Sequence, residues 1–286
     1  MRVVSLLPSA TDVIAELGLL DDLVGISDDC DWPPEVLAKP LVARTRLDGD
    51  ALSSAQIDRL VTESAATSHS LYAVDAALLD ELRPDLIVTQ DLCVVCAVSS
   101  DDLATACPVG TETYSMNPRT LDDVIESVVD LGRRLGAETR AREVAARMRA
   151  AIDETRARVA GRGRTRVFVA EWVDPPFCAG HWLPEMVEAA GGEPLLGKPG
   201  ELSFRTTWDE VLAAGPELVV VAACGFTLEE ALPHVRDLRL PVPTVVVDGD
   251  AHFSRPAPRL ADGIRQLAHL LHPDAAPDPG LAFAML

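Results

Sequence analysis

The segment ETRAREVAARMRAAIDETRARVA, residues 138–160, decides how the chain is built. It holds neither Pro nor Gly and stops at Gly161-Arg162-Gly163. Val144, Met148, Ala151, Ile152 and Val159 recur at helical spacing, so the segment reads as one unbroken helix. At 1.5 Å per residue it would run about 35 Å. Strand-like and helix-like runs alternate on both sides of it, which divides the chain into an N-terminal α/β lobe (1–137), a bridging helix (138–161) and a C-terminal α/β lobe (162–286). A stiff helical connector permits only small relative motion, unlike a flexible linker.

Upstream of the bridge, RVVSLL (2–7) reads as a strand. A helix follows from about Ser9 to Leu17, capped by Ser9 or Thr11 and stopped at Gly18. LVGIS (23–27) and DLIVTQ (85–90) read as further strands. PVGTETY (108–114) reads as an edge strand, because Pro108 has no N–H to give to a ladder. Leu121, Val124, Ile125 and Val128 fall at helical spacing before Gly136 interrupts. Downstream, TRVFVAEW (165–172), ELVVVAAC (217–224) and PTVVVDG (243–249) are strands, and PEMVEAAGG (184–192) is a helix started by Pro and ended by Gly. Two faint echoes link the halves: LRPDLIVTQDLC (82–93) with AGPELVVVAACG (214–225), and LPSATDVIAELG (7–18) with LPEMVEAAGG (183–192). The expected fold is two Rossmann-like lobes, each with a mostly parallel sheet, and a ligand cleft between them.

Charge removes one class of partner. With 25 Lys and Arg against 45 Asp and Glu, the net charge is −20, and nucleic acid, which demands clustered positive charge, is excluded. Lys39 and Lys198 are the only lysines. No apolar run is long enough to span a membrane. The opening MRVVSLLPSATDVIAEL passes straight into a strand and helix without the pattern of an export signal, so a cytoplasmic protein is expected, periplasmic or extracellular only if a leader has been removed. In that compartment the six cysteines, 30, 93, 96, 107, 178 and 224, are expected reduced.

In open α/β sheets, functional groups gather beyond the carboxyl ends of the strands. Here those positions carry Pro8 and Ser9, then Asp91, Cys93 and Cys96, then EWVDPPFCAGHW (171–182), Cys224, and DAHFSRPAPR (250–259). Rings interspersed with a few polar groups describe a small-molecule pocket. Cys93 and Cys96 have the spacing that brings two thiolates onto one metal or into one disulfide, although buried packing is the commoner fate of such residues. No second Cys-x-x-Cys accompanies them, so any zinc or iron ion would need further ligands, with His181 and Glu171 the leading candidates. Dinucleotide, P-loop and hydrolase-elbow motifs are absent. A cleft without a recognisable catalytic engine favours binding over catalysis.

These residues carry a resemblance. RVVSLLPSATDVIAELGLLDDLVGIS (2–27), CDWPP (30–34), LRPDLIVTQ (82–90), the helix at 138–160, EWVDPPFCAGHWLPEMVEAAGG (171–192) and SRPAPRLADGIRQLAHLL (254–271) resemble the cobalamin- and siderophore-binding periplasmic proteins of ABC importers. The similarity covers nearly the whole chain, and TQDLCVVCAVS (89–99) with EWVDPPFCAGHW resembles a leaderless subgroup labelled cobalamin-binding. The resemblance implies two lobes joined by one helix, a cobalamin-like corrinoid or other metal chelate as ligand, and an ABC permease as partner. The expected ligand-binding set is Pro8, Ser9, Trp32, Tyr72, Asp91, Glu171, Trp172, Asp174, Trp182, Phe253, Ser254 and Arg255, with Trp172 and Trp182 foremost in stacking. The expected metal set is Cys93, Cys96, His181 and Glu171. Two other readings stay open: a cytoplasmic metal-binding protein or metalloenzyme built on that set, and a thiol redox protein built on Cys93 and Cys96.

Overall fold

Apolar β-branched runs form the central strands, and amphipathic segments cover them. The computed structural model describes residues 1–46, 52–67, 71–91, 98–99, 103 and 106–286. The chain divides into two compact units, one of 1–52, 56–118 and 126–145, the other of 53–55, 119–125 and 146–286.

The first unit is built on a six-stranded sheet of β1 (Val3–Ser5), β2 (Leu23–Ser27), β3 (Leu41–Thr45), β4 (Tyr72–Val74), β5 (Leu86–Thr89) and β6 (Glu112–Ser115), ordered β4-β3-β2-β1-β5-β6. All neighbours run parallel except β3 and β4. The expected edge strand is β6, shifted to begin at Glu112. After β1 the chain enters α1 (Pro8–Glu16) with Pro8 in its first turn, where a missing N–H costs nothing. Leu7 at the N-cap offers no side-chain oxygen. Gly18 ends the helix at φ +70°, and a Cβ there would meet the Arg140 guanidinium at 2.9 Å. The remaining described helices before the long one are α2 (Ser54–Thr67), α3 (Ala76–Leu82) and α4 (Leu121–Arg134).

The long helix is α5, Glu138–Val159, 22 residues and about 33 Å by the helical rise, within a residue of the sequence reading. Glu138 pairs with Arg142 at 2.6 Å and Glu154 with Arg158 at 2.7 Å, each with the acid one turn N-terminal, the favourable order. The division between the units falls inside this helix, at Ala145/Ala146.

The second unit holds seven strands: β7 (Thr165–Val173), β8 (Pro176–Cys178), β9 (Gly192–Pro194), β10 (Phe204–Arg205), β11 (Leu218–Val221), β12 (Thr244–Val247) and β13 (Phe283–Met285). The order is β10-β8-β7-β11-β12-β13, with β9 parallel to the start of β7. The parallel core is β7-β11-β12, and β8, β10 and β13 are antiparallel additions. Phe168, Val219, Val221 and Val246 pack beneath Trp172 and Trp208. Its helices are α6 (Leu183–Ala189), α7 (Trp208–Ala213), α8 (Leu228–Val235) and α9 (Leu260–Leu271). Reciprocal boxes start two of them, Thr207 with Glu210 and Thr227 with Glu230. The first sequence echo falls on equivalent elements: β5 and β11 each lie parallel beside the first strand of their sheet, β1 and β7.

Candidate functional site

Strand ends of the first unit lead into polar loops. Pro8 and Ser9 follow β1; Ser9 is 1% exposed and its buried Oγ has no hydrogen-bond partner among the described residues. Thr11 of α1 donates to Ser5 Oγ at 2.8 Å and lies 3.0 Å from Cys30 Sγ, tying α1 to the ends of β1 and β2. Beyond Cys30, Trp32 is half-buried, and its bond to Pro33 is cis. Asp28 turns its carboxylate back to accept Thr45 N–H. Asp91 follows β5, exposed, accepting from Ser115 Oγ at 2.5 Å while its own N–H donates to Asn117 Oδ1 at 2.7 Å. Tyr72 lies elsewhere. It opens β4, 4% exposed, within the apolar cluster of Val4, Leu6, Val42 and Ile87, so the structure places it in the core. Cys93 and Cys96 lie outside the described residues.

The second unit concentrates its rings at the end of β7. Trp172 packs against the apolar cluster of Phe168 and Ala170, at the point where the pairing of β7 with β8 shifts register between Ala170 and Trp172. The Trp172 ring lies 5.2 Å from Phe226 and 5.8 Å from His234, and Phe226 meets His234 at 5.0 Å, edge-on. Trp172 Nε1 donates to the Ser54 carbonyl at 3.2 Å, and Ser54 Oγ stands 3.0 Å from His234 Nδ1. Burial lowers the His234 pKa, which keeps the ring neutral at neutral pH. Asp174 is exposed in the turn to β8.

Deeper in this unit, Trp182 is 5% exposed and donates to the Phe253 carbonyl at 2.8 Å, and Phe253 itself is 0% exposed. Neither ring has a face left to stack on a solute, which corrects the expectation for both. Arg255, 6% exposed, grips Asp250 through two hydrogen bonds, Nε to Oδ1 at 3.0 Å and Nη2 to Oδ2. That ion pair fixes the π-helical turn Asp250–Ser254 that follows β12. Ser254 Oγ is buried without a partner among the described residues.

His181 adopts φ +51°, and the segment 200–203 clamps it: its N–H donates to the Glu201 carbonyl at 2.7 Å and its carbonyl accepts Gly200 N–H at 3.0 Å. Nδ1 is 3.5 Å from Ser203 Oγ, and the buried Nε2 has no partner among the described residues. Burial, then the Arg119 charge, lowers its pKa. A neutral imidazole with a free nitrogen is the ligating form of histidine. Among the described residues, however, no three His, Cys, Asp or Glu side chains converge to hold a metal ion. Cys178 is 1% exposed, and burial followed by the Glu171 charge pushes its thiol up to about 12, so it stays protonated.

Residues 3–232 match the periplasmic binding protein family. The chain belongs to it. A vitamin B12-binding protein of Vibrio cholerae serotype O1 is 22% identical over 280 residues, covering 94% of this chain and 88% of that protein. A solved periplasmic haem-binding protein from Pseudomonas aeruginosa superimposes with a TM-score of 0.71 at 19% identity, covering 97% of this chain and 94% of that one. A periplasmic vitamin B12-binding protein from Vibrio cholerae gives 0.64 at 20% identity, covering 94% and 96%. A possible iron-binding protein of Staphylococcus epidermidis gives 0.69 at 18% identity, covering 95% and 98%. Within this periplasmic binding protein, the members of the ring cluster that sequence reasoning misses are Phe226 and His234. Phe226 carries a usable signal, standing two residues after Cys224 at the end of β11. His234, on α8, and Ser54, on α2, carry no local signal of the contact they make.

Proposed function

We propose that the protein binds a corrinoid, or a metal chelate of similar size and shape, as the solute-binding component of an ABC-type uptake system. The single observation that carries this reading is the Trp172–Phe226–His234 ring cluster at the end of β7, in a chain that aligns along 94% of its length with a vitamin B12-binding protein. Aromatic rings offer large, stiff contact area to a macrocycle at little conformational cost. In the same unit as the rings, Ser254 adds a buried hydroxyl beyond β12. Titrating the purified protein with cyanocobalamin, haemin and a ferric siderophore, each followed by its visible absorbance, is the direct test. Saturable binding of cyanocobalamin with the other two excluded supports the corrinoid; preference for either of the others reassigns the chelate, and no saturation up to millimolar concentration with any of them ends the reading.

One observation favours a second reading, the partnerless Nε2 of His181. On that reading His181 ligates a metal ion, with Glu171, Cys93 and Cys96 as the remaining set. Elemental analysis of the wild type against His181→Asn and the Cys93→Ser/Cys96→Ser variant tests it, since equal metal content in all three would remove these residues from any metal site.

A further inference from the structure

We propose that Ser53–Ala55 is a resident cap on the Trp172–Phe226–His234 cluster, and that ligand and cap compete for those rings. The proposal rests on the binding reading above and adds a means of regulating it. Ser54 is 6% exposed, and both of its polar groups are committed to the cluster, the carbonyl to Trp172 Nε1 and the hydroxyl to His234 Nδ1. With the ring neutral, the hydrogen bond between the Ser54 hydroxyl and His234 Nδ1 has no charge to anchor it. The cluster is therefore closed by two ordinary hydrogen bonds, while the ring of Trp172 is only half-buried.

The chain reaches this position by an unusual route. β3 ends at Thr45 and its antiparallel neighbour β4 begins at Tyr72, so a connection running from residue 46 to residue 71 replaces the turn of a few residues that such a pair requires. Within it α2 begins at Ser54. Nothing in the pairing of β3 with β4 calls for a helix, whereas covering an aromatic surface does. Three adjacent rings exposed to water attract non-specific partners, and a polar cap shields them with contacts weak enough for a macrocycle to displace.

The test compares the wild type with Ser54→Ala and uses Trp172→Phe to isolate the emission of Trp172. Without ligand, acrylamide quenching of Trp172 should rise about twofold or more in Ser54→Ala as the cap loosens; an unchanged quenching constant would overturn the proposal. With cyanocobalamin and haemin as probes, Ser54→Ala should bind whichever probe the wild type binds about fivefold more tightly, the worth of one net hydrogen bond removed from the competitor. Equal or weaker binding would make Ser54 a ligand contact or a bystander, and the cap would be wrong. If neither probe binds, the quenching measurement still decides the cap, and only the ligand reading fails. His234→Phe keeps a ring and removes the nitrogen that meets the Ser54 hydroxyl, so it provides the same two readouts should Ser54→Ala not fold.

Discussion

His181, His234 and His252 all lose water on folding, and burial, the largest cause in each, lowers their pKa values below the usual imidazole value. The folded chain thus resists protonation that the unfolded chain accepts, so the unfolded state binds more protons as pH falls below about 6.5. The stability these groups confer is whole above that pH and is lost progressively as pH drops through their lowered folded values. Urea midpoints should therefore fall between pH 7.5 and 5.5. His181→Asn should flatten that decline, since Asn tolerates the left-handed backbone and does not titrate. Cys178 gives a second residue-scale expectation. With its thiol pushed up to about 12, it should escape iodoacetamide at pH 8 in the native protein and react once denatured, as peptide mass mapping would report. The candidate site is partly legible at this scale. Trp172 stands out because it ends an apolar strand, and Trp182 misleads because a ring beside a loop looks exposed until its N–H is seen bound to the Phe253 carbonyl. The His234–Ser54 contact joins residues 180 positions apart, and no local pattern encodes a contact of that range.

Helices α4 and α5 come close enough to touch through their backbones. A Cβ on Gly132 of α4 would stand 2.2 Å from the Ala141 Cβ of α5, so only a glycine lets the pair approach this far. Gly132→Val should destabilise the protein by about 1–3 kcal/mol through overpacking, read from the urea midpoint; an unchanged midpoint would show that the two helices can part without loss. The elements that read directly from the sequence are those whose signal is local. VVS, LIVT, LVVV and TVVV are fully buried apolar runs, and α5 carries its own periodicity and stop. β3, β4, β8, β9, β10 and β13 escape such a reading. None of them is a fully buried apolar run, so none carries the local signal that marks the central strands.

Across the whole molecule a net charge of −20 favours expansion through self-repulsion. Raising sodium chloride from about 10 mM, where the screening length is about 30 Å, to about 150 mM, where it is about 8 Å, should raise Tm, and a falling Tm would mean that attractive ion pairs dominate. Two α/β units and the long helix within which their division falls are legible because each half repeats the same grammar. The solute is not, since it depends on loops whose course follows no period. The second sheet, finally, has an outermost strand that matters in bulk solution. On the β12 side that strand is β13, residues 283–285, hydrogen-bonded antiparallel along Val245–Val247, with Phe283 and Met285 exposed. A chain shortened by those few residues would move the open edge of the sheet inward to β12, where an apolar, Val-rich strand would present its unpaired amides and carbonyls to water.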